Sequence, residues 1–202
     1  MNRLKKILFA LSMSALIGSQ TVMAAADAQF YFDRASAYFN DGNYEKAIKD
    51  YTEAISMSRN FTEAYYNRGQ AYYKKGRFDE AISDYTKVID LMPKNAEIYN
   101  LRGLAYYKKE RYSEAIEDET MAISLNAAFV AAYHNRGIAY AKSGHYDEAI
   151  ADYNKALTLK PDYMDAYFSR GVAYVRKASS DFKRACDKGN RYACDNLKQL
   201  SQ

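Results

Sequence analysis

Apolar and polar positions follow a helical period along most of this chain. Between Thr62 and Lys75, Tyr65, Gly69 and Tyr72 stand at i, i+4 and i+7, on one side of a helix. Between Phe78 and Leu91, Ala81, Ile82, Tyr85, Val88 and Ile89 form a second apolar stripe. The pattern predicts two helices joined by a tight turn at Gly76. Pro93 should stop the second helix, because it cannot donate the next backbone bond. Gly69 and Ala81 are expected to face each other across this hairpin, with large aromatic rings filling the space between one hairpin and the next.

The pattern recurs. Tyr31, Tyr65, Tyr99, Tyr133 and Tyr167 stand 34 residues apart, and each is followed three residues later by Arg34, Arg68, Arg102, Arg136 or Arg170. Gly69, Gly103, Gly137 and Gly171 come next, with Ala35 in the first copy. So strict a period means a small unit stacked on copies of itself. One such hairpin cannot bury its apolar face, whereas a stack builds a continuous core.

Tyr-x2-Arg-Gly-x2-Tyr, then Ala-Ile-x2-Tyr-x2-Ala, then Pro, at this period, resembles the tetratricopeptide repeat. The resemblance covers units at about 28–61, 62–95, 96–129 and 130–163, and the first helix of a fifth from about 164. It implies an all-α fold, a right-handed superhelical solenoid of antiparallel helix pairs. Some positions depart from the pattern. Arg59 and Ala127 replace the terminal proline, and Glu119 stands where Tyr51, Tyr85 and Tyr153 place a ring. Glu119 is expected to tilt outward or to meet a basic neighbour. Asp50, Asp84, Asp118 and Asp152 recur with the unit and read as solvated or capping positions.

The period breaks after Val175-Arg176-Lys177, and residues 164–202 read as a partial fifth unit with capping helices. A short helix from Ser180 to Lys188, a turn at Gly189-Asn190 and a last helix from Arg191 to Leu200 are expected. The Ala-Cys-Asp-x-Gly-Asn-x2-Ala-Cys string is similar to the Sel1-like repeat, whose exported members carry bridged cysteines at this spacing. Cys186 and Cys194 therefore read as a structural disulfide in an oxidising compartment. Two unpaired thiols are the bland alternative, and the wide spacing argues against a redox-active pair.

Residues 1–26 are of another kind: a basic start at Arg3, Lys5 and Lys6, an apolar run from Ile7 to Gly18, and Val22-Met23-Ala24. That order predicts a signal peptide cleaved after Ala24 or Ala26. The apolar run, about 12 residues, is short of the roughly 20 that span a bilayer, so an uncleaved anchor is the weaker reading and no stable anchor is expected after cleavage. The chain would then be exported, periplasmic or extracellular. Three of the 29 basic residues lie in this segment and none of the 25 acidic ones does. The remainder is nearly neutral, without the clustered basic footprint that nucleic acid requires.

The chemistry of the chain argues against an enzyme. His134 and His145 are its only histidines and share no evident third metal ligand. No Gly-x-Ser-x-Gly, phosphate loop or His-Glu-x2-His occurs. No cofactor is expected. In tetratricopeptide proteins the first helices line a concave face that binds a protein or peptide segment. Carried onto this chain, that face comprises Tyr66, Asn67, Gln70, Tyr73, Asn100, Leu104, Tyr107, His134, Asn135, Ile138, Phe168 and Val172, with Lys74, Lys108, Lys142 and Arg176 alongside. The Lys/Asn/Arg set by which some members grip a C-terminal carboxylate maps onto Phe32, Ser36, Asn67, Glu97 and Leu101, of which Asn67 alone matches. A noncatalytic scaffold of the cell envelope is the leading expectation. Self-assembly into a homo-oligomer, and a Sel1-like enzyme acting on cell-wall material, are the alternatives.

Overall fold

The computed structural model describes residues 26–200, and among them every regular element is an α-helix. The signal-peptide expectation falls almost wholly outside these residues. The chain forms two compact units, divided after Pro93.

In the first unit, α1 (26–40) and α2 (Tyr44–Met57) form one hairpin, and α3 (Thr62–Lys74) and α4 (Phe78–Leu91) the next. Its core gathers Ala35, Ala47, Tyr51, Ala54, Ile55 and Ala64, flanked by Phe32, Phe39 and Phe61. In the second unit α5 (Ala96–Lys108) pairs with α6 (Tyr112–Leu125), and α7 (Val130–Lys142) with α8 (Tyr146–Leu159). The long α9 (Met164–Asp187) and α10 (Arg191–Leu200) follow.

The 34-residue period has a concrete meaning in each hairpin. Arg68 donates through Nε and Nη2 to both carboxylate oxygens of Asp84, at 2.8 and 2.7 Å. Arg102 grips Asp118 and Arg136 grips Asp152 at the same two distances. Arg34 holds Asp50 at 2.5 and 2.9 Å. All four aspartates are buried, so the expectation of solvated or capping positions is corrected. Burial pushes the carboxyls of Asp84 and Asp118 up, and the guanidinium opposes it. Such a pair is costly to break because the surviving charge is left without a partner in a poorly solvated place. Tyr65 and Tyr72 lie against the Arg68 guanidinium, with ring centroids at 5.5 and 5.7 Å. The Tyr-x2-Arg-x3-Tyr spacing thus builds an aromatic clamp around a cation.

The glycine after each arginine admits the second helix. A Cβ on Gly69 would stand 2.8 Å from the Tyr85 ring, and one on Gly137 2.7 Å from Tyr153. The nearest neighbour across the hairpin is therefore the ring of the second helix and not Ala81, as the sequence had suggested.

Turns explain where helices stop. Gly42, Gly76 and Gly144 adopt positive φ, and Glu110 does so without being glycine, at φ 59°. The corresponding position in the last copy is Ala178. No left-handed turn forms there, and α9 runs on to a turn at Gly189, where Asn190 N–H donates to Ala185 O at 3.0 Å. The break expected before Ser180 is absent: the first helix of the fifth copy and the short helix after it are one element. Proline is dispensable as a stop, since α2 and α6 end in the same register as α4 and α8 without it.

Candidate partner-binding surface

The first helix of each hairpin uses one face for the Arg–Gly contacts just described and leaves another for its surroundings. The candidate residues lie on that second face, and the structure sorts them into committed and open ones.

In the first unit Tyr66, Asn67, Gln70 and Tyr73 are all half-buried. Gln70 Nε2 donates to the Tyr66 hydroxyl at 2.8 Å, which orients both. Tyr73 packs edge-on against Phe78 with centroids 5.3 Å apart, and burial pushes its phenol up.

In the second unit Asn100 and His134 are internal. Asn100 Nδ2 donates to both carboxyl oxygens of Glu119 at 2.8 Å. Glu119 is 1% exposed, so it neither tilts outward nor relies on a basic neighbour as its main partner. Burial pushes its pKa up to about 9, with Asn100 and Asn135 hydrogen bonds and the Arg136 charge opposing and Asp118 adding to the rise. The carboxyl is therefore protonated at neutral pH. His134 shares hydrogen bonds with Ser169 Oγ at Nε2 (3.1 Å) and the Tyr163 hydroxyl at Nδ1 (3.2 Å). Its ring packs on Tyr153 and Tyr163, and burial lowers its pKa, favouring the neutral imidazole. Both polar groups are satisfied by the fold, which leaves them little capacity for a ligand.

Leu104 and Tyr107 are half-buried, and Tyr107 leans on Tyr112. The open part of the surface is at α7 and α9. Ile138, Phe168 and Val172 converge on a recess of about 260 Å³ bounded by Tyr153, with Lys142 and Arg176 at its edge. Phe168 is 76% exposed there, an unusual state for a large aromatic side chain. Sequence periodicity ranks all four copies of this face alike. What separates them is the packing of neighbours such as Ser169 and Tyr163, which no pattern in α7 alone encodes.

Cys186 and Cys194 are joined as a disulfide that ties α9 to α10. Among the described residues, no three His, Cys, Asp or Glu side chains gather as metal ligands, and no helix is long and apolar enough to cross a membrane.

Comparison with known proteins bears on this surface. The family profile described as TPR repeat matches residues 35–76, 69–110, 103–144 and 139–177. A crystal structure of MamA protein is similar at 28% identity and a TM-score of 0.72, over 86% of this chain and 90% of that one. The second TPR domain of human RPAP3, solved in complex with the HSP70 peptide SGPTIEEVD, is 32% identical with a TM-score of 0.53, over 55% of this chain and 92% of that one. The first TPR of Spaghetti (RPAP3), bound to the HSP90 peptide SRMEEVD, is 31% identical with a TM-score of 0.55, over 56% and 90%. No curated protein matches the chain.

Proposed function

The chain belongs to the TPR repeat family, and on that premise we propose that it is a noncatalytic scaffold of the cell envelope that binds a peptide or helix of a partner protein. The observation that carries this reading is the apolar recess between α7 and α9, with Phe168 standing open beside Ile138 and Val172. A recess of this kind holds apolar side chains, while the Lys142 and Arg176 edge favours a segment with acidic flanks. Two relatives bind peptides ending in Glu-Glu-Val-Asp. Here the carboxylate-gripping positions are otherwise used: Phe32 packs on Tyr51 and Phe61, and Ser36 Oγ bonds Phe32 O and the Tyr51 hydroxyl. The ligand is accordingly an internal, apolar segment and not a free chain end.

Export supports the envelope setting. Residues 1–26 have the basic, apolar and small-residue order of a leader, and the Cys186–Cys194 bridge suits an oxidising compartment. The test is crosslinking co-purification of the native protein from its host beside a variant carrying Ile138→Ala, Lys142→Glu and Phe168→Ala, with helicity checked by circular dichroism. A partner captured by the first and lost with the second supports the recess. An identical set of captured partners from both rejects it.

A further inference from the structure

The fifth hairpin is unfinished. Because α9 overruns the turn position, no helix returns along its first half, and the groups that elsewhere close a hairpin are left open. Tyr99 and Tyr133 are 9% and 8% exposed, whereas Tyr167, in the same register, is 46% exposed. A Cβ on Gly171 would meet nothing within 4 Å, where those on Gly69 and Gly137 would strike a buried ring. Arg170 stacks on Tyr167 and donates through Nη1 to Asn154, but among the described residues no carboxylate pairs with it. Beside these groups lies a cavity of about 560 Å³ lined by Tyr167, Gly171, Val172 and Val175 and bounded by Leu200 of α10.

The other hairpins display the occupant of this slot. Ala47, Asp50 and Tyr51, then Ala81, Asp84 and Tyr85, then Ala149, Asp152 and Tyr153 present one face: a small residue, an aspartate three positions on, and a ring directly after it. We propose that the open face of α9 docks a helix of another protein bearing this same small–x2–Asp–aromatic pattern, its aspartate on Arg170 and its ring over Gly171.

The chain itself does not supply that helix. Residues 1–25 and 201–202 contain no aspartate or glutamate. In α2, α4 and α8 the aspartate is already paired and the ring buried within its own hairpin, so a second copy would have to open a closed hairpin to donate one. An unengaged helix from a different protein meets no such obstacle.

The probe is a fluorescent synthetic peptide copying residues 145–160, titrated into the full chain and followed by anisotropy. Saturable binding is expected, weakened by about tenfold when the aspartate of the peptide becomes asparagine or when the protein carries Arg170→Gln. Gly171→Leu should abolish it, and this variant should fold because its side chain enters open space. Ile138→Ala with Lys142→Glu should leave it unchanged, which separates this slot from the recess proposed above. Failure to saturate, or binding indifferent to Gly171→Leu, overturns the proposal. So does a concentration-dependent dimer in sedimentation that Gly171→Leu dissolves, since that assigns the slot to a second copy.

Discussion

Replacing Glu119 by glutamine should remove a pH dependence of stability and do little else. The carboxyl is buried, hydrogen-bonded by Asn100 and held at a pKa of about 9, against about 4.3 in an unfolded chain. Between those values the folded state carries one more proton than the unfolded state. Stability contributed by the group is therefore complete below about pH 4 and is lost as pH rises towards 9. The slope reaches about 1.4 kcal/mol per pH unit, so a rise from pH 5.5 to 8.5 costs at most about 4 kcal/mol. Relaxation around the ionised group lowers this to roughly 2–4 kcal/mol, a fall in melting temperature on the order of 10 °C for a chain of this size. Glu119→Gln keeps a carbonyl for Asn100 and cannot titrate. Thermal melts of both proteins across that range should converge at pH 5.5 to within about 1 kcal/mol and separate at pH 8.5, with the variant the more stable. Subtracting the two curves cancels every other titrating group. Parallel curves would refute the argument, because they would mean that Glu119 carries the same charge folded and unfolded throughout.

The remaining predictions concern the repeat itself. Gly69→Ala should destabilise by about 1–3 kcal/mol, since its methyl would press on the Tyr85 ring, whereas Gly171→Ala should stabilise by up to about 1 kcal/mol through helix propensity alone; denaturant unfolding of both decides it. Glu110→Gly should raise stability by about 1 kcal/mol by relieving a left-handed residue, and an unchanged denaturation midpoint would count against strain there. Arg136→Ala should cost about 3–5 kcal/mol by stranding Asp152, while Arg136→Met with Asp152→Leu should recover much of that loss. N-terminal sequencing of the protein from its host envelope should begin at Ala25 or Asp27, and a chain starting at Met1 there would exclude cleavage.

The architecture is readable from the residues because its period is carried by side chains that each serve one structural purpose, a glycine under a ring and an arginine between two tyrosines. The aspartates mislead because a recurring charge looks like a solvated edge. The cue lies in their constant interval of 16 residues from each arginine, which holds from Arg34–Asp50 to Arg136–Asp152. Glu119 misleads when judged alone, although Asn100 is also exceptional in its row, and two exceptions in one unit form one buried polar pair. The overrun of α9 turns on a glycine that is missing at position 178, and an absence is harder to see than a motif. The candidate surface is legible as a row of positions but not as a set of accessible groups. Accessibility depends on which neighbour packs over each copy.

Each arginine also reaches backwards. Besides its aspartate 16 residues on, Arg68 donates to Thr52 and Arg136 to Thr120, and Arg170 donates to Asn154, all 16 residues before. A side chain that takes hold of positions at equal intervals on both sides is indifferent to which copy supplies them. A stretch of 34 residues could thus be duplicated or excised, cut at any phase, and every arginine at the junction would still find an acceptor before and after it. Gene rearrangement can lengthen or shorten this protein in whole steps without inventing a contact, while an insertion of any other length between an arginine and its aspartate would strand a buried charge.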